Sequence, residues 1–208
     1  MLGRIVLLSL ALIALARKET FVGGQKVPDK IYLIPFGNTE QQTVEALQRP
    51  LERTFGVKVA VGARAPLPPE AYEPSRQQYL STAFLNALRR KCPNDARKAL
   101  GVADVDLYVA RLNFVFGEAE KPGKVAVISL MRLRPEYYGD QEDKCLFVGR
   151  TIKEAVHELG HTFGLGHCRN PECVMFFSNS LMDTDRKGAD FCKSCERMLD
   201  SVAAAPKR

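Results

Sequence analysis

The sequence predicts an α/β (α+β) single domain in which a mixed, twisted sheet packs against helices. Three observations carry that prediction. Short apolar runs bounded by proline and glycine alternate with segments of helical period through residue 91, a pattern that sets helices against strands. Between 105 and 132, strand-like runs follow one another directly and add neighbouring strands to the sheet. With 208 residues, 46% hydrophobic and 26% charged, the chain is long enough for one substantial core.

Residues 1–16, MLGRIVLLSLALIALA, stand apart. One arginine precedes an apolar run from Ile5 to Ala16, and Ala14-Leu15-Ala16 resembles a small-residue cleavage site, as in an export signal. The run, about twelve residues, is short for a bilayer span; a short anchor or an upstream start codon are the alternatives. Residues 17–30 read as a polar linker with Gly23-Gly24 and Pro28. Residues 1–28 are thus an N-terminal apolar segment with linker, and 29–208 the folded domain.

Within that domain, 31–35 is a buried strand between Pro28 and Gly37. Val44, Leu47, Leu51 and Phe55 recur at helical spacing over 39–55; Gly56 ends this helix, and Pro50 must kink or divide it. Residues 57–61 form a second strand, and 62–74, with Pro66, Pro68, Pro69 and Pro74, a surface loop. A second amphipathic helix is predicted over 75–91, with Tyr79, Phe84, Leu85 and Leu88 on its apolar side. The β-rich runs 105–111 and 113–116 are separated from 125–132 by a turn at 117–123. A polar loop, 134–149, follows. The net charge of +6 and pI near 9.0 come from Lys and Arg interspersed with acids, which describes a solvated surface rather than a nucleic-acid footprint.

All three histidines fall within 157–167, inside TIKEAVHELGHTFGLGHC at 151–168. Thr151 and Glu154 read as a capping box that starts a helix at Ile152. Ile152, Ala155, Val156, Leu159 and Phe163 gather in one apolar stripe, and His157 and His161 stack one turn apart on the other face beside Glu158. Gly164 and Gly166 let the chain leave the helix and bring His167 back. Three neutral imidazoles suit a tetrahedral Zn²⁺ whose fourth position stays open to water. A bare HExxH is a weak signal, but here Gly164 and His167 complete HExxHxxGxxH, the metzincin spacing, and so a metzincin-like domain.

Cys168 and Cys173 are separated by four residues, Cys192 and Cys195 by two. That spacing matches a closed four-thiolate structural zinc site, which would clamp the C-terminal segment 191–202 against the histidine corner. Two disulfides or simple buried thiols are the alternatives, disulfides gaining weight if 1–16 directs export. Cys92 and Cys145 fall outside this set and receive no role.

HELGHTFGLGHC, then Cys173-Val174-Met175, then Phe191-Cys192-Lys193-Ser194-Cys195 resembles the archaemetzincins, zinc metallopeptidases with a catalytic and a structural zinc. The segment 128–136 is compatible with that family, whereas 1–28 extends beyond its compact core. The resemblance implies two Zn²⁺ per chain. His157, His161 and His167 would hold the catalytic ion, with Glu158 as general base; Cys168, Cys173, Cys192 and Cys195 would hold the structural one. Met175 would form the Met-turn beneath the catalytic metal, a packing role, with Met182 as second candidate.

The expected reaction is peptide hydrolysis, in which Glu158 accepts a proton from zinc-activated water and returns it to the departing amine. Tyr138 is the candidate second stabiliser of the oxyanion. The run 125–132 is the candidate edge strand for an extended peptide. Arg132 and Arg134 near its end would favour acidic residues or a terminal carboxylate, unless they are merely solvated. A monomer acting on peptide or protein substrate is expected, with no nucleic-acid partner and with membrane contact only through 1–16. Its location is cytoplasmic, or exported or anchored if 1–16 acts as a signal. Two other functions compete: a zinc-stabilised binding module with a vestigial three-histidine site, and a non-peptide amide hydrolase. Glu158 counts against the first, since a purely structural site needs no carboxylate there.

Overall fold

Five strands make the central sheet, and their burial on both faces explains why several read as continuous apolar runs. The computed structural model describes residues 21–22, 25–26 and 30–204, so the apolar segment 1–16 and the division at 28/29 lie outside the described residues. In chain order the elements are β1 (Phe21–Val22), β2 (Gln25–Lys26), β3 (Lys30–Phe36), α1 (Gln41–Ala46), α2 (Gln48–Phe55) and β4 (Lys58–Val61). Then come β5 (Tyr72–Glu73), β6 (Gln78–Leu80), α3 (Ser81–Lys91), β7 (Ala96–Ala103), β8 (Leu107–Tyr108), β9 (Gly117–Ala119) and β10 (Val125–Ser129). The helices α4 (Lys144–Thr162), α5 (Leu181–Arg186) and α6 (Lys193–Ala204) complete the chain.

The sheet order is β4-β3-β7-β10-β9, parallel throughout except for β9, which runs antiparallel to β10 at one edge. Alternate residues of each strand enter different cores. Ile31, Leu33, Leu100, Val102, Ala126 and Ile128 pack with α1, α2 and α4. Ile34, Phe36, Ala99, Val125 and Val127 pack with α3. The predicted mixed sheet with packed helices is therefore present. Among the described residues, no helix is long and apolar enough to cross a membrane.

Several elements differ from the sequence expectation, each for a physical reason. Strand β7, at the centre of the sheet, falls in a stretch the sequence leaves unassigned. Its residues are small and partly charged (ARKALGVA), and Gly101 is required because a Cβ there would stand 2.8 Å from the Phe36 ring. The helix at 39–55 does divide, but at Leu47 rather than at Pro50. Proline lacks the N–H that would bond the carbonyl four residues back, and its ring crowds that carbonyl, so the interruption falls at Ala46 and Leu47. Gly56 closes α2 with φ +64°, as expected.

The helix predicted over 75–91 starts only at Ser81. Tyr79 is in β6, bonded to β8, and meets the Phe84 ring at 6.2 Å by folding back rather than by helical period. Residues 117–123 are not all turn, since 117–119 form β9. Nor is 125–132 an edge strand: β10 ends at Ser129, lies between β7 and β9, and gives way to a 3₁₀ turn at Met131–Leu133.

Because Leu100 is fully buried in the central strand, Leu100→Ala is expected to cost about 2–5 kcal/mol of stability. Urea denaturation followed by far-UV circular dichroism measures that loss.

Candidate metal centre and catalytic cleft

Helix α4 begins two turns earlier than its sequence suggests. Asp143 is its N-cap and accepts a hydrogen bond from the Leu146 N–H at 2.9 Å. Thr151 and Glu154 form no capping box; the Thr151 hydroxyl bonds back to the Phe147 carbonyl at 2.8 Å, and Glu154 is engaged elsewhere. The downstream end agrees with expectation. Gly164, at φ +92°, reverses the chain, and the Leu165 N–H returns to the Gly160 carbonyl at 3.2 Å. Ala155, Val156, Leu159 and Phe163 face the core, with Ile152 packed at its margin.

The opposite face carries the chemistry. His157, Glu158, His161 and His167 line one cavity of about 430 Å³. One wall is the edge strand β9 with the apolar residues before it, Leu112, Phe114 and Phe116; Phe177, Ser178 and Asn179 form the other. The three imidazoles offer ligand nitrogens that all lie within 4.8 Å of one another. His157 Nδ1 is 2.8 Å from the Val174 carbonyl, and His161 Nδ1 is 2.8 Å from the Leu165 carbonyl.

A carbonyl can only accept, so both Nδ1 atoms carry the proton and both Nε2 atoms keep a lone pair. Those two Nε2 atoms are 3.1 Å apart. Lone pairs facing at this distance repel unless a cation lies between them. A tetrahedral zinc with Zn–N bonds of about 2.0–2.1 Å holds its nitrogens about 3.3 Å apart, close to the separation seen. Burial, first of all, pushes the His157 imidazole well below its ordinary pKa; Lys187 and His161 add to this. Burial likewise lowers His161 to about 4, and lowers His167 as well. All three rings are thus neutral, as ligation requires.

The cysteines make a second nest. The Sγ atoms of Cys168, Cys173, Cys192 and Cys195 also lie within 4.8 Å of one another, and every cysteine is a free thiol. Cys168 Sγ and Cys192 Sγ are 3.8 Å apart, where a disulfide needs about 2.05 Å. A tetrahedral zinc with bonds of about 2.3 Å separates its sulfurs by about 3.8 Å. The backbone N–H of Cys195 is the main influence lowering the Cys192 thiol to about 7. Cys92 and Cys145 lie outside this nest.

Met175 is fully buried against α4, and a Cβ added at Gly160 would stand 2.6 Å from its Sδ. Met182 is 60% exposed on α5. Tyr138 does not line the cavity; its hydroxyl donates to the Arg132 carbonyl at 3.2 Å. The two arginines are not free for substrate either. Arg132 clasps Asp106 at 2.6 and 2.7 Å, and Arg134 pairs with Asp104 at 2.7 Å.

Other residues of the site escape the sequence reading. Glu154 lines the cavity and pairs with Lys187, a lysine with no exposed side-chain surface, at 3.0 Å; the Thr184 hydroxyl donates to the same oxygen. Glu154 and Glu158 are four apart and so share a helix face, a signal that the capping-box assignment obscures. Gly117 is the other omission. A Cβ there would stand 2.5 Å from Glu158 Cγ and 2.7 Å from the Val127 carbonyl oxygen, so only glycine lets this carboxylate pack on the edge strand. Burial, then Glu154, raises the Glu158 carboxyl well above the usual carboxylate range.

The profile of Peptidase family M54 matches residues 43–201. The chain belongs to that family. Archaemetzincin of Pyrococcus furiosus is 44% identical over 180 residues, spanning 83% of this chain and 93% of the relative. The crystal structure of archaemetzincin from Methanopyrus kandleri aligns with a TM-score of 0.76 at 39% identity, covering 85% of this chain and 96% of that one. That from Archaeoglobus fulgidus, complexed with malonate, aligns at 0.71 and 42%, covering 81% and 99%. A member of family M54 with this histidine cluster is a zinc-dependent metallopeptidase, and the fold is that of the archaemetzincins.

Gly117→Ala must displace either Glu158 or the β9 backbone. Activity is expected to fall roughly 10- to 100-fold with zinc content unchanged. Steady-state peptide hydrolysis beside metal analysis of the same sample measures both.

Proposed function

We propose that the chain hydrolyses peptide bonds with two zinc ions per molecule, one catalytic and one structural. His157, His161 and His167 hold the catalytic ion, and Glu158 is the general base. Cys168, Cys173, Cys192 and Cys195 hold the structural ion, Met175 supplies the Met-turn, and 29–208 is the catalytic domain. The observation that carries this reading is the convergence of two carbonyl-oriented Nε2 lone pairs at 3.1 Å in the cavity that contains Glu158.

Zinc bound there supplies Lewis acidity, polarising a peptide carbonyl and lowering the pKa of water from about 15.7 toward about 7. Glu158 takes the proton of the attacking water and delivers it to the departing amine. Burial raises the Glu158 carboxyl above the usual range; a dication held by the neighbouring imidazoles would lower it again, toward the anion that a base must be. An extended peptide adds to β9, the edge strand beside the cavity. Leu112, Phe114, Phe116 and Phe177 beside it select apolar side chains near the scissile bond. Four cysteines gathered as a thiolate nest rather than as disulfides suit a reducing compartment, which supports a cytoplasmic location.

Glu158→Gln is expected to retain both zinc ions and lose roughly 10²–10⁴-fold in turnover. Cleavage of a mixed-sequence peptide library, with plasma emission analysis of zinc, tests the pair of claims. A variant that still cleaves would remove Glu158 from the mechanism, and one zinc per chain in the wild type would refute the two-metal assignment. Among cleaved peptides, apolar residues should be enriched next to the cut; enrichment of acidic residues would contradict the lining.

A further inference from the structure

Three imidazoles meet in the cleft, but they are not secured alike. His157 is buried and His161 half-buried, and each has its Nδ1 fixed 2.8 Å from a backbone carbonyl. His167 is exposed, and among the described residues no hydrogen bond holds either of its ring nitrogens. What surrounds it is a set of rings. The centroids of Phe177, His161 and His157 stand 4.7, 4.9 and 5.4 Å from its own. Of these three, only Phe177 lies outside the candidate ligand set. An imidazole free to turn about its side-chain bonds loses that freedom when it ligates, so a partner that orients it beforehand tightens the metal.

Phe177 has a fixed mount from which to do this. The N–H of Cys168, next to His167, donates to the Met175 carbonyl at 2.8 Å, which ties the two stretches together at the base. The Phe176 N–H donates to the Cys173 carbonyl at 2.9 Å, and the N–H groups of Asn179 and Ser180 donate to the Asp183 carboxylate at 3.1 and 3.0 Å. The backbone is thus held on both sides of Phe177. Its ring joins neither hydrophobic core and is 42% exposed, so it contributes little to the fold itself.

We propose that Phe177 is the positioning residue for His167: its ring replaces the carbonyl anchor that the other two imidazoles have, and holds the third in the pose that grips the catalytic zinc. The inference rests on the three-histidine zinc reading and adds to it the contact that completes the ligand set. It is separate from any contact the same ring makes with substrate, because it acts on metal affinity in the absence of peptide.

The test uses the full chain loaded with two zinc ions. Titration with a chelator of known zinc affinity should release the ion of the imidazole nest first. Phe177→Ala is expected to weaken that ion roughly 3- to 30-fold. The thiolate ion, measured once the first has left, should be released as in the wild type. Phe177→Tyr keeps the ring and should stay within about twofold of the wild type. Phe177→Leu keeps apolar bulk without a ring; it should also weaken the first ion, and it provides the measurement if alanine alters the fold. The three histidines of the sequence all belong to this nest, so long-range proton–nitrogen spectra of zinc-loaded protein with isotope-labelled histidine report each imidazole separately. In Phe177→Ala two rings should keep their metal-bound signature while that of His167 broadens or moves toward the free ring. Unchanged affinity in both ring-lacking variants, or a loss shared equally by all three imidazoles or by the thiolate ion, overturns this inference alone. A wild type whose imidazoles never take on the metal-bound signature overturns the catalytic-zinc reading, and this inference with it.

Discussion

Two backbone carbonyls decide the chemistry of this molecule. Those of Val174 and Leu165 each sit 2.8 Å from an imidazole Nδ1, and because a carbonyl cannot donate, they fix which nitrogen of each ring carries hydrogen. The unprotonated nitrogens then have one direction to face. Leu165 is in place because the chain reverses at Gly164, whose φ of +92° a side chain would resist. Val174 lies between Cys173 and Met175, and its own N–H donates to the Asp190 carbonyl at 2.9 Å. The proposed metal centre is therefore a product of backbone placement, supplied by the turn after α4 and by the loop that the cysteines surround.

A second electrostatic arrangement sits behind the first. Lys187 and Glu154 form an ion pair with almost no exposed surface, an arrangement whose desolvation cost makes it a poor source of stability in general. Its geometry shows what it accomplishes. Together with the bidentate bond from Arg150 to Asp185 and the bonds from Lys153 to the Thr184 and Asp185 carbonyls, it fastens α5 along the flank of α4. The far wall of the cleft is thereby registered to the helix that presents the histidines.

The parts legible in the sequence are those in which local chemistry and local geometry coincide. The apolar stripe of α4, the three histidines, the glycine that ends their helix and the four clustered cysteines all lie within short stretches, and each is where the spacing puts it. What escaped was decided at a distance. Ala, Gly, Arg and Lys in β7 have little strand propensity, yet flanking strands on both sides bury the segment. Thr151 and Glu154 match a cap on paper, but Asp143, eight residues upstream, takes that position, and Glu154 finds its partner 33 residues away. Likewise Arg132 and Arg134 bind aspartates 26 and 30 residues back, which no local pattern reports.

His167 and Cys168 are consecutive in the chain, yet one side chain turns to the imidazole nest and the other to the thiol nest. A single peptide bond thus joins the two. Freezing either residue in its ligating pose uses up conformational freedom that the other would otherwise have to lose, so the ordering cost is shared rather than met twice. In the proposed two-zinc form, an ion in either nest would find part of the backbone next to its own ligand already ordered by the other, which is a reciprocal advantage by linkage.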